Sequence, residues 1–248
     1  MILDSFFNMY GIMIAIGIVL CFLCLYIFEK KFITDHKFMD FVVVNGCVAI
    51  FIGFLSAAIF QGVYNYIDNP ENGFSINGGI TFIGGLIGGV ISFLVGYQIF
   101  KNKYQTKLIE IISYIPPAIV IAHAFGRVGC YFSECCYGVE TDKWYGIILS
   151  NGTKVIPTHL FEAGFLFILF IVLFILAYKK KFLYNFCIYT FSYGVWRFLI
   201  EYLRGDERGS FIPGVSPSQF WSLVMIIITI PLAFYLYYCN KKVNEINK

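Results

Sequence analysis

The segment Thr158–Tyr178, THLFEAGFLFILFIVLFILAY, decides the fold of this chain. A single carboxylate, Glu162, interrupts its apolar side chains, and the segment ends at three consecutive lysines. The hydrocarbon core of a bilayer is about 30 Å thick, and a helix of about 20 apolar residues crosses it. The segment therefore predicts a transmembrane helix that ends at a charged membrane surface.

The composition extends this prediction to the whole chain. Of the 248 residues, 59% are hydrophobic and 13% are charged, whereas a soluble domain has roughly 25% charged residues. This balance excludes a water-soluble globular protein as well as disordered and collagen-like chains. The eight cysteines are too sparse for a small disulfide scaffold. Lipid is therefore expected to be the solvent for much of the surface.

Apolar runs of similar length recur along the chain and predict an all-α polytopic membrane protein with about seven transmembrane helices. We expect a single membrane domain over residues 1–248. Pro116 and Pro117 interrupt the fourth run, which is therefore expected to be kinked or half re-entrant. The runs are Met9–Phe28, Phe41–Phe60, Gly79–Phe100, Ile109–Phe125, Thr158–Tyr178, Phe182–Tyr202 and Ser216–Cys239.

The lysines predict the orientation, because short loops rich in Lys and Arg stay in the cytoplasm. Lysines cluster after the first, third, fifth and seventh runs, whereas Asp4, Asp68 and Glu71 lie on the other side. The N-terminus is therefore predicted outside and the C-terminus in the cytoplasm, with an extracytoplasmic loop or small subdomain at about 126–157. The clustered lysines are Lys30, Lys31, Lys37, Lys101, Lys103, Lys107, Lys179, Lys180, Lys181, Lys241, Lys242 and Lys248.

The four arginines lie at or near the outward ends of the runs. Because a guanidinium binds phosphate bidentately, Arg127 and Arg197 predict a lipid-phosphate site on that side. For Arg204 and Arg208, which lie in a charged loop, pairing with nearby glutamates and snorkelling to the interface is favoured.

In the sixth run, Tyr193, Arg197 and Glu201 recur every four residues and form one polar stripe. Ionisable groups in a membrane helix face the protein interior or a cavity, which makes these residues functional candidates. A purely structural ion pair between Arg197 and Glu201 stays equally open. His159 and Glu162 share one helical face at the start of the fifth run.

The segment AHAFGRVGCYFSECCYG, Ala122–Gly138, brings three cysteines close to Arg127 in sequence. Adjacent Cys135 and Cys136 do not readily ligate one tetrahedral ion, so neither zinc nor any other metal is expected. A disulfide on an oxidising side of the membrane stays open. The connection 141–154 is expected to form a short hairpin over the site, where it could gate access.

The segment GGITFIGGLIGG, Gly78–Gly89, is costly in a helix because each glycine destabilises it by up to about 1 kcal/mol relative to alanine. Close helix packing is favoured for Gly85 and Gly89, whereas the roles of Gly78, Gly79 and Gly84 stay open.

Taken in order, these segments resemble the prolipoprotein diacylglyceryl transferase family over nearly the whole chain. Tyr10 and Gly11 are similar to the YG that opens the family's first membrane helix. Further similar segments are GGITFIGGLIGG to GGxxFHGGLIG, GRVGCYFSECCYG to a signature that begins GRxGN, PTHLFE to HPTQLYE, YGVWRFLIEYLR to YGxxRFxxEFxR, and SPSQFWS to SxGQxLS.

The resemblance implies a multi-pass enzyme of the bacterial cytoplasmic membrane whose site faces the outer leaflet. It would move the diacylglyceryl group of phosphatidylglycerol to the lipobox cysteine thiol of a prolipoprotein signal peptide, without a cofactor, and release glycerol phosphate. Arg127 and Arg197 would bind the phosphate, and Glu201 would hold Arg197. The implied substrate-binding residues are Tyr10, Tyr193, Gly84, Gly85, Gly126 and Gly138.

The chain departs from the family pattern where proton transfer is concerned. Ile83 stands in place of the family's His, and Cys130 and Cys135 stand in place of its Asn and Glu. Because a thiol attacks as the thiolate, a base is expected nearby. Our hypothesis is that this base is Glu134, His159 or His123.

Two alternatives follow from the same departures. One is a divergent paralogue that binds phospholipid but uses another acceptor or transfers nothing. The other is a membrane thiol oxidoreductase that uses Cys130, Cys135 and Cys136, although the chain lacks the usual CxxC there. A transporter is disfavoured because no inverted repeat is evident, and no motif for a nucleotide or nucleic acid occurs.

Overall fold

The computed structural model describes residues 2–33, 35–68, 70–75, 81–180, 182–205 and 214–246. Within these ranges it describes all side chains except those of residues 2–8, 68, 72, 82, 83, 180 and 242–246. Some positions from the sequence predictions therefore lie outside the described residues. They are Gly78, Gly79, Lys181, Arg208, Lys248 and the side chains of Asp4, Asp68, Ile83, Lys180 and Lys242.

The described chain is mostly helical, as predicted, and it contains one small antiparallel hairpin. The helices are α1 (Ile2–Phe32), α2 (His36–Asp68), α3 (Phe82–Phe100), α4 (Leu108–Ile111), α5 (Ile115–Phe132), α6 (Thr158–Lys180), α7 (Asn185–Ile200) and α8 (Pro217–Ile246), and the strands are β1 (Ile147–Ile148) and β2 (Lys154–Val155).

Six of the described helices are long and apolar enough to cross a bilayer, which is consistent with a polytopic membrane protein. The run predicted over Phe182–Tyr202 forms α7, which has 16 residues and continues into a single 3-10 turn. It is shorter than the about 20 residues of an ordinary span. The six spans are Met9–Phe32, His36–Ile67, Gly84–Lys103, Ile115–Phe132, Thr158–Lys179 and Pro217–Lys241.

The fourth run differs from its prediction. It was predicted over Ile109–Phe125 with an interruption at the prolines, but α5 runs without a break from Ile115 to Phe132. Pro116 and Pro117 lie in its first turn, where a missing backbone N–H costs nothing. The run is interrupted as predicted, between α4, which ends at Ile111, and α5, which begins at Ile115, but the break precedes the prolines. Arg127 and Cys130 lie on α5 itself.

The chain divides into two compact units, Met1–Lys31 with Leu108–Lys248, and Phe32–Lys107. In the second unit α2 packs against α3 along a row of glycines. A Cβ at Gly84 would lie 2.5 Å from Cβ of Phe60, and one at Gly85 would lie 3.3 Å from Cβ of Ala57. A Cβ at Gly89 would likewise contact the α2 backbone. Close packing is confirmed for Gly85 and Gly89, and Gly84 packs in the same way.

In the first unit α5, α6 and α7 share a buried core, and α8 packs on α7. Apolar side chains fill the core, and Trp196 of α7 stacks on Phe165 of α6 with ring centroids 4.5 Å apart. Their outward side chains are largely apolar, for example Ile119, Ile168 and Phe191, and can therefore face lipid. The buried core cluster is Val120, Ala124, Leu166, Leu169, Leu173 and Tyr193.

Candidate active site

Three helices of the first unit each contribute one polar side chain to a buried triangle. Nε of Arg127 on α5 lies 3.1 Å from Oε1 of Glu162 on α6. Tyr193 on α7 donates its hydroxyl hydrogen to the same oxygen at 2.8 Å and accepts a hydrogen bond from Nη2 of Arg127 at 3.3 Å. The Glu162 side chain is 1% exposed. A buried carboxylate is stable only when it is paired. The pairing of Glu162 with Arg127 and Tyr193 therefore holds α5, α6 and α7 together.

Glu162 is the site residue that the sequence prediction missed. The sequence places Glu162 on one helical face with His159, but it does not identify the partner of Glu162 on another helix. The available signal was a carboxylate inside an otherwise apolar membrane run, which by default marks a functional site. Sequence spacing finds partners on the same helix and leaves the partner on α5 unidentified.

Arg197 and Glu201 form the predicted ion pair, with Nη2 of the arginine 2.8 Å from Oε2 of the glutamate. The same Nη2 donates to Oγ of Ser218 at 2.8 Å, and Ser216 donates to Oε1 of Glu201 at 2.8 Å. Both serines come from the segment SPSQFWS at the start of α8. The N-terminal end of α8 therefore fixes this pair.

One nitrogen of Arg197 has no partner. Nη1 is buried and makes no hydrogen bond to the described residues. An unsatisfied buried donor costs about 1–3 kcal/mol, and more when it is charged. Such a donor indicates a position where a ligand oxygen would be stabilised.

The cluster has an excess of positive charge. Arg197 acts electrostatically on Glu162 and Tyr193, so the two arginine groups belong to one site. Arg204 joins them, with its Nε 3.9 Å from Oε2 of Glu201. Three guanidinium groups thus face two carboxylates among the described residues, and the remaining charge favours an anion such as a phosphate.

Arg204 corrects part of its prediction. It pairs with a neighbouring glutamate, as expected, but its side chain is 3% exposed and does not snorkel to the interface. The reason is the isolated bridge between Gly138 and Arg204, which brings residues 138–139 against the end of α7.

The three predicted bases occupy different surroundings. Glu134 accepts hydrogen bonds from the backbone N–H and hydroxyl of Ser150 at 2.9 and 2.5 Å, so it anchors the turn between β1 and β2. His123 lies with Nδ1 3.1 Å from the Tyr189 hydroxyl. His159 is 1% exposed, and neither of its ring nitrogens has a hydrogen-bond partner in the described part of the chain.

The predicted substrate-binding residues also lie in different parts of the structure. Tyr10 packs its ring over Gly129, where a Cβ would lie 2.9 Å from Cδ2 of the tyrosine. Tyr10 also lies close enough to Arg127 for electrostatic interaction. A Cβ at Gly126 would contact no atom within 4 Å. Gly138 donates its N–H to the Ile156 carbonyl at 2.8 Å, so backbone packing accounts for it.

The resemblance to the family predicts that Gly84 and Gly85 bind substrate. They belong to the second unit, where both contact α2. Helix packing accounts for the absence of a side chain at both positions.

The thiols of Cys130, Cys135 and Cys136 lie together. Their three sulfur atoms are all within 4.8 Å of one another, although adjacency in sequence was expected to keep two of them apart. The reason is local: Glu134 and Cys136 have φ angles of 46° and 63°, which turn the chain back onto the end of α5. Such left-handed residues cost of order 1–3 kcal/mol each.

Electrostatics within this cluster favour one thiolate. Hydrogen bonds from Cys130 and Cys135, and a further one from the Arg204 guanidinium, hold the pKa of Cys136 well below its ordinary value. The pKa of Cys135 is raised, because its hydrogen bonds to Cys130 and Cys136 stabilise its protonated form. None of the eight cysteines, all of which the structure describes, forms a disulfide.

The predicted hairpin in the connection 141–154 is confirmed. Ile147 pairs with Val155 and Ile148 with Lys154 in antiparallel register. Trp144, just before β1, is 90% exposed. A gating role for this hairpin stays a prediction.

Known proteins are similar to this chain over nearly its whole length. The model of the prolipoprotein diacylglyceryl transferase family matches residues 2–235. A phosphatidylglycerol–prolipoprotein diacylglyceryl transferase of Clostridium tetani is 33% identical, over 89% of this chain and 90% of the relative. The transferase 2 of Clostridium perfringens is 32% identical over 88% and 86%, and the Campylobacter jejuni transferase is 30% identical over 95% and 90%.

Proposed function

Since the chain belongs to the prolipoprotein diacylglyceryl transferase family, we propose that it transfers the diacylglyceryl group of phosphatidylglycerol to the lipobox cysteine of a prolipoprotein, the first step of lipoprotein maturation. The thiol sulfur bonds to the glyceryl carbon that carries the phosphate, the carbon–oxygen bond breaks, and glycerol phosphate leaves. The observation that carries the proposal is the buried cluster of Arg127 and Arg197, with its excess charge and its unpaired Nη1 donor.

In this reaction the two arginines stabilise the leaving phosphate. Negative charge grows on the phosphate oxygen as the carbon–oxygen bond breaks, and fixed guanidinium donors in a dry site stabilise that charge. Glu162 and Tyr193 hold Arg127, and Glu201 and Ser218 hold Arg197. Little reorganisation is then needed when the charge develops.

The acceptor thiol must lose its proton before it attacks. Glu134 is hydrogen-bonded to Ser150 and His123 to Tyr189. Within the described ranges, neither ring nitrogen of His159 has a hydrogen-bond partner. All three stay predicted bases. Single Ala substitutions separate them, because only the true base removes transfer without affecting phosphatidylglycerol binding.

The apolar helices and the family indicate a bacterial membrane protein. We place the site at the outer leaflet of the cytoplasmic membrane, with α7 as a seventh, short span and the N-terminus outside. The alternating lysine clusters support this orientation. The partners are then the bilayer lipid and the signal peptide of a secreted precursor, which enters past the loop at 126–157.

The test is transfer of labelled diacylglyceryl from phosphatidylglycerol in nanodiscs to a lipobox peptide, with a Cys→Ser peptide as the acceptor control. We expect a thioether product from the wild type and a loss of roughly 10²–10³-fold for Arg197→Ala. Arg197-dependent binding of phosphatidylglycerol without transfer would instead support the paralogue with another acceptor. A wild type that neither bound phosphatidylglycerol nor transferred its diacylglyceryl group would contradict the lipid-phosphate site itself.

A further inference from the structure

The three-thiol cluster of Cys130, Cys135 and Cys136 has no role in phosphate binding, yet it adjoins the phosphate site. Cys130 follows Arg127 by three residues on α5, so both side chains lie on one face of the helix. Tyr10 interacts electrostatically with Arg127 and with all three cysteines. A ligand held by the three sulfurs would therefore be next to the departing phosphate.

The spacing of the sulfurs suits a metal ion. Zinc–sulfur bonds of about 2.3 Å place two sulfurs of a tetrahedral site about 3.8 Å apart. The sulfurs here are already within 4.8 Å of one another, so binding requires each pair to approach by no more than about 1 Å. Thiolate ligands select soft or borderline ions such as zinc.

A second observation, independent of the sulfurs, also indicates a ligand. His159 is 1% exposed, and both of its ring nitrogens lack a hydrogen-bond partner among the residues described. Its neighbour Thr158 donates to the Cys136 carbonyl at 2.8 Å, and the Cys136 backbone lies near the imidazole without hydrogen-bonding geometry. A buried imidazole near Cys136 that has no hydrogen-bond partner among the described residues indicates a position that a ligand would occupy.

We propose that Cys130, Cys135 and Cys136 bind one zinc ion through three thiolates and leave its fourth position open for the thiol of the acceptor cysteine. The second half of this statement rests on the proposed transferase function. Three protein ligands with one open position are the usual arrangement of a catalytic zinc site.

The charges are compatible with this assignment. A zinc ion with three thiolates carries one negative charge, and the buried Arg204 guanidinium interacts directly with Cys136. Glu201 balances only part of the positive charge around it, as the excess of guanidinium groups shows. Arg204 therefore supplies the countercharge of an anionic zinc–thiolate group, and the phosphate is left to the donors of Arg127 and Arg197.

The acceptor thiol replaces water on the zinc and releases its proton to solvent, because a coordinating thiol is deprotonated by the metal. The zinc-bound sulfur forms the carbon–sulfur bond with the glyceryl carbon as the bond to the phosphate oxygen breaks. Glycerol phosphate leaves between the arginines, and the thioether, a weaker ligand than a thiolate, leaves the zinc. If zinc activates the thiol in this way, none of Glu134, His123 and His159 is needed as the base, which agrees with Ile83 in place of the family's His.

The first experiment measures zinc on the full-length protein, purified under reducing conditions and stripped with a chelator. We expect one zinc per chain after reloading, and a cobalt-substituted form with sulfur-to-cobalt charge transfer and tetrahedral absorption. Cys130→Ser, Cys135→Ser and Cys136→Ser should each lose most of both signals. Cys47→Ser is the matched control, because Cys47 is an exposed cysteine of α2 outside the cluster.

Zinc content equal in the wild type and the triple Ser variant would overturn the metal site. The same conclusion would follow from a disulfide among these three cysteines in zinc-free protein that still transfers lipid. Binding of phosphatidylglycerol by the Ser variants shows that they are folded.

The second experiment tests the open position. Adding a lipobox peptide to the cobalt form should shift its absorption, and the Cys→Ser peptide should not. Chelation should reduce transfer by at least tenfold, and zinc should restore it, while phosphatidylglycerol binding stays unchanged. Full transfer by zinc-free protein overturns the inference but leaves the proposed function intact. Zinc bound with the expected spectrum, but no transfer to any lipobox peptide, overturns the proposed function and leaves the metal site.

Discussion

The helix interfaces of the two units are built on opposite chemistry. Between α2 and α3 the contact is made by glycines whose missing side chains let the backbones approach, as at Gly84 and Gly85. Between α5, α6 and α7 the contact includes three charged or polar side chains, the buried Glu162 and Tyr193 and the half-buried Arg127.

The difference shows what each interface requires. Helices in lipid gain little from burying apolar groups, so small residues that permit close packing are enough to join them. A buried ion pair, in contrast, costs desolvation energy and is weak evidence for a purely stabilising role. The polar interface of the first unit is therefore better explained by ligand binding, and four substitutions test this comparison.

The largest effect is expected for Glu162→Gln. It removes the countercharge of the Arg127 guanidinium, whose side chain is 18% exposed. The free energy of unfolding should therefore fall by less than the about 3–5 kcal/mol of a fully buried pair. Denaturant unfolding in detergent measures this loss. The double variant Arg127→Gln with Glu162→Gln should recover much of it, because no unpaired charge remains. A double variant no more stable than the single one would show that the ion pair is not the reason.

The next effect is that of Arg197→Lys on transfer. Lysine keeps the charge but loses the planar fork and the unpaired Nη1 donor. Loss of one hydrogen bond to a charged group, about 1.5–3 kcal/mol, should slow transfer about ten- to hundredfold. Rates in nanodiscs and phosphatidylglycerol affinity are the measurements. A lysine variant as active as the wild type would show that charge alone suffices.

A substitution in the glycine interface between α2 and α3 should lower the thermal stability of the protein. Gly84→Ala places a methyl group against Phe60, and such overpacking costs about 1–3 kcal/mol. Gly46→Ala on α2 is the matched control, because a Cβ there has no atom within 4 Å. Thermal unfolding of both variants in detergent is the measurement. If Gly84→Ala lost transfer at unchanged stability, the substrate-binding role would be favoured over packing.

The smallest effect is expected for Ser150→Ala, which removes one of the two hydrogen bonds to Glu134. The bond lies at the surface, so the loss should be about 1 kcal/mol and confined to the hairpin. Hydrogen exchange at residues 147–155 should become faster, with transfer nearly unchanged. Ser133→Ala is the control, since its hydroxyl takes no part in these bonds. A large loss of transfer would support Glu134 as the base.

Much of this could be predicted from the sequence because it depends on local spacing. Apolar runs predicted the helices, i,i+4 spacing predicted the Arg197–Glu201 pair, and alternation predicted the hairpin. One local rule was misapplied: the break in the fourth run lies at residues 112–114, and Pro116 and Pro117 begin α5 after it. The span predicted over Phe182–Tyr202 stays a prediction, since α7 has only 16 residues.

From the sequence alone one could predict a helical membrane protein, the clustering of twelve of its fourteen lysines after alternate apolar runs, and the family that the chain resembles. Only the tertiary structure decided that Glu162 joins Arg127 and Tyr193, and that three cysteines share one small volume. The difference lies in the distance along the chain over which each interaction acts. Hydropathy and helical period act between near neighbours in the chain, whereas the partner of a buried charge or thiol is chosen by how distant helices and a left-handed turn pack together.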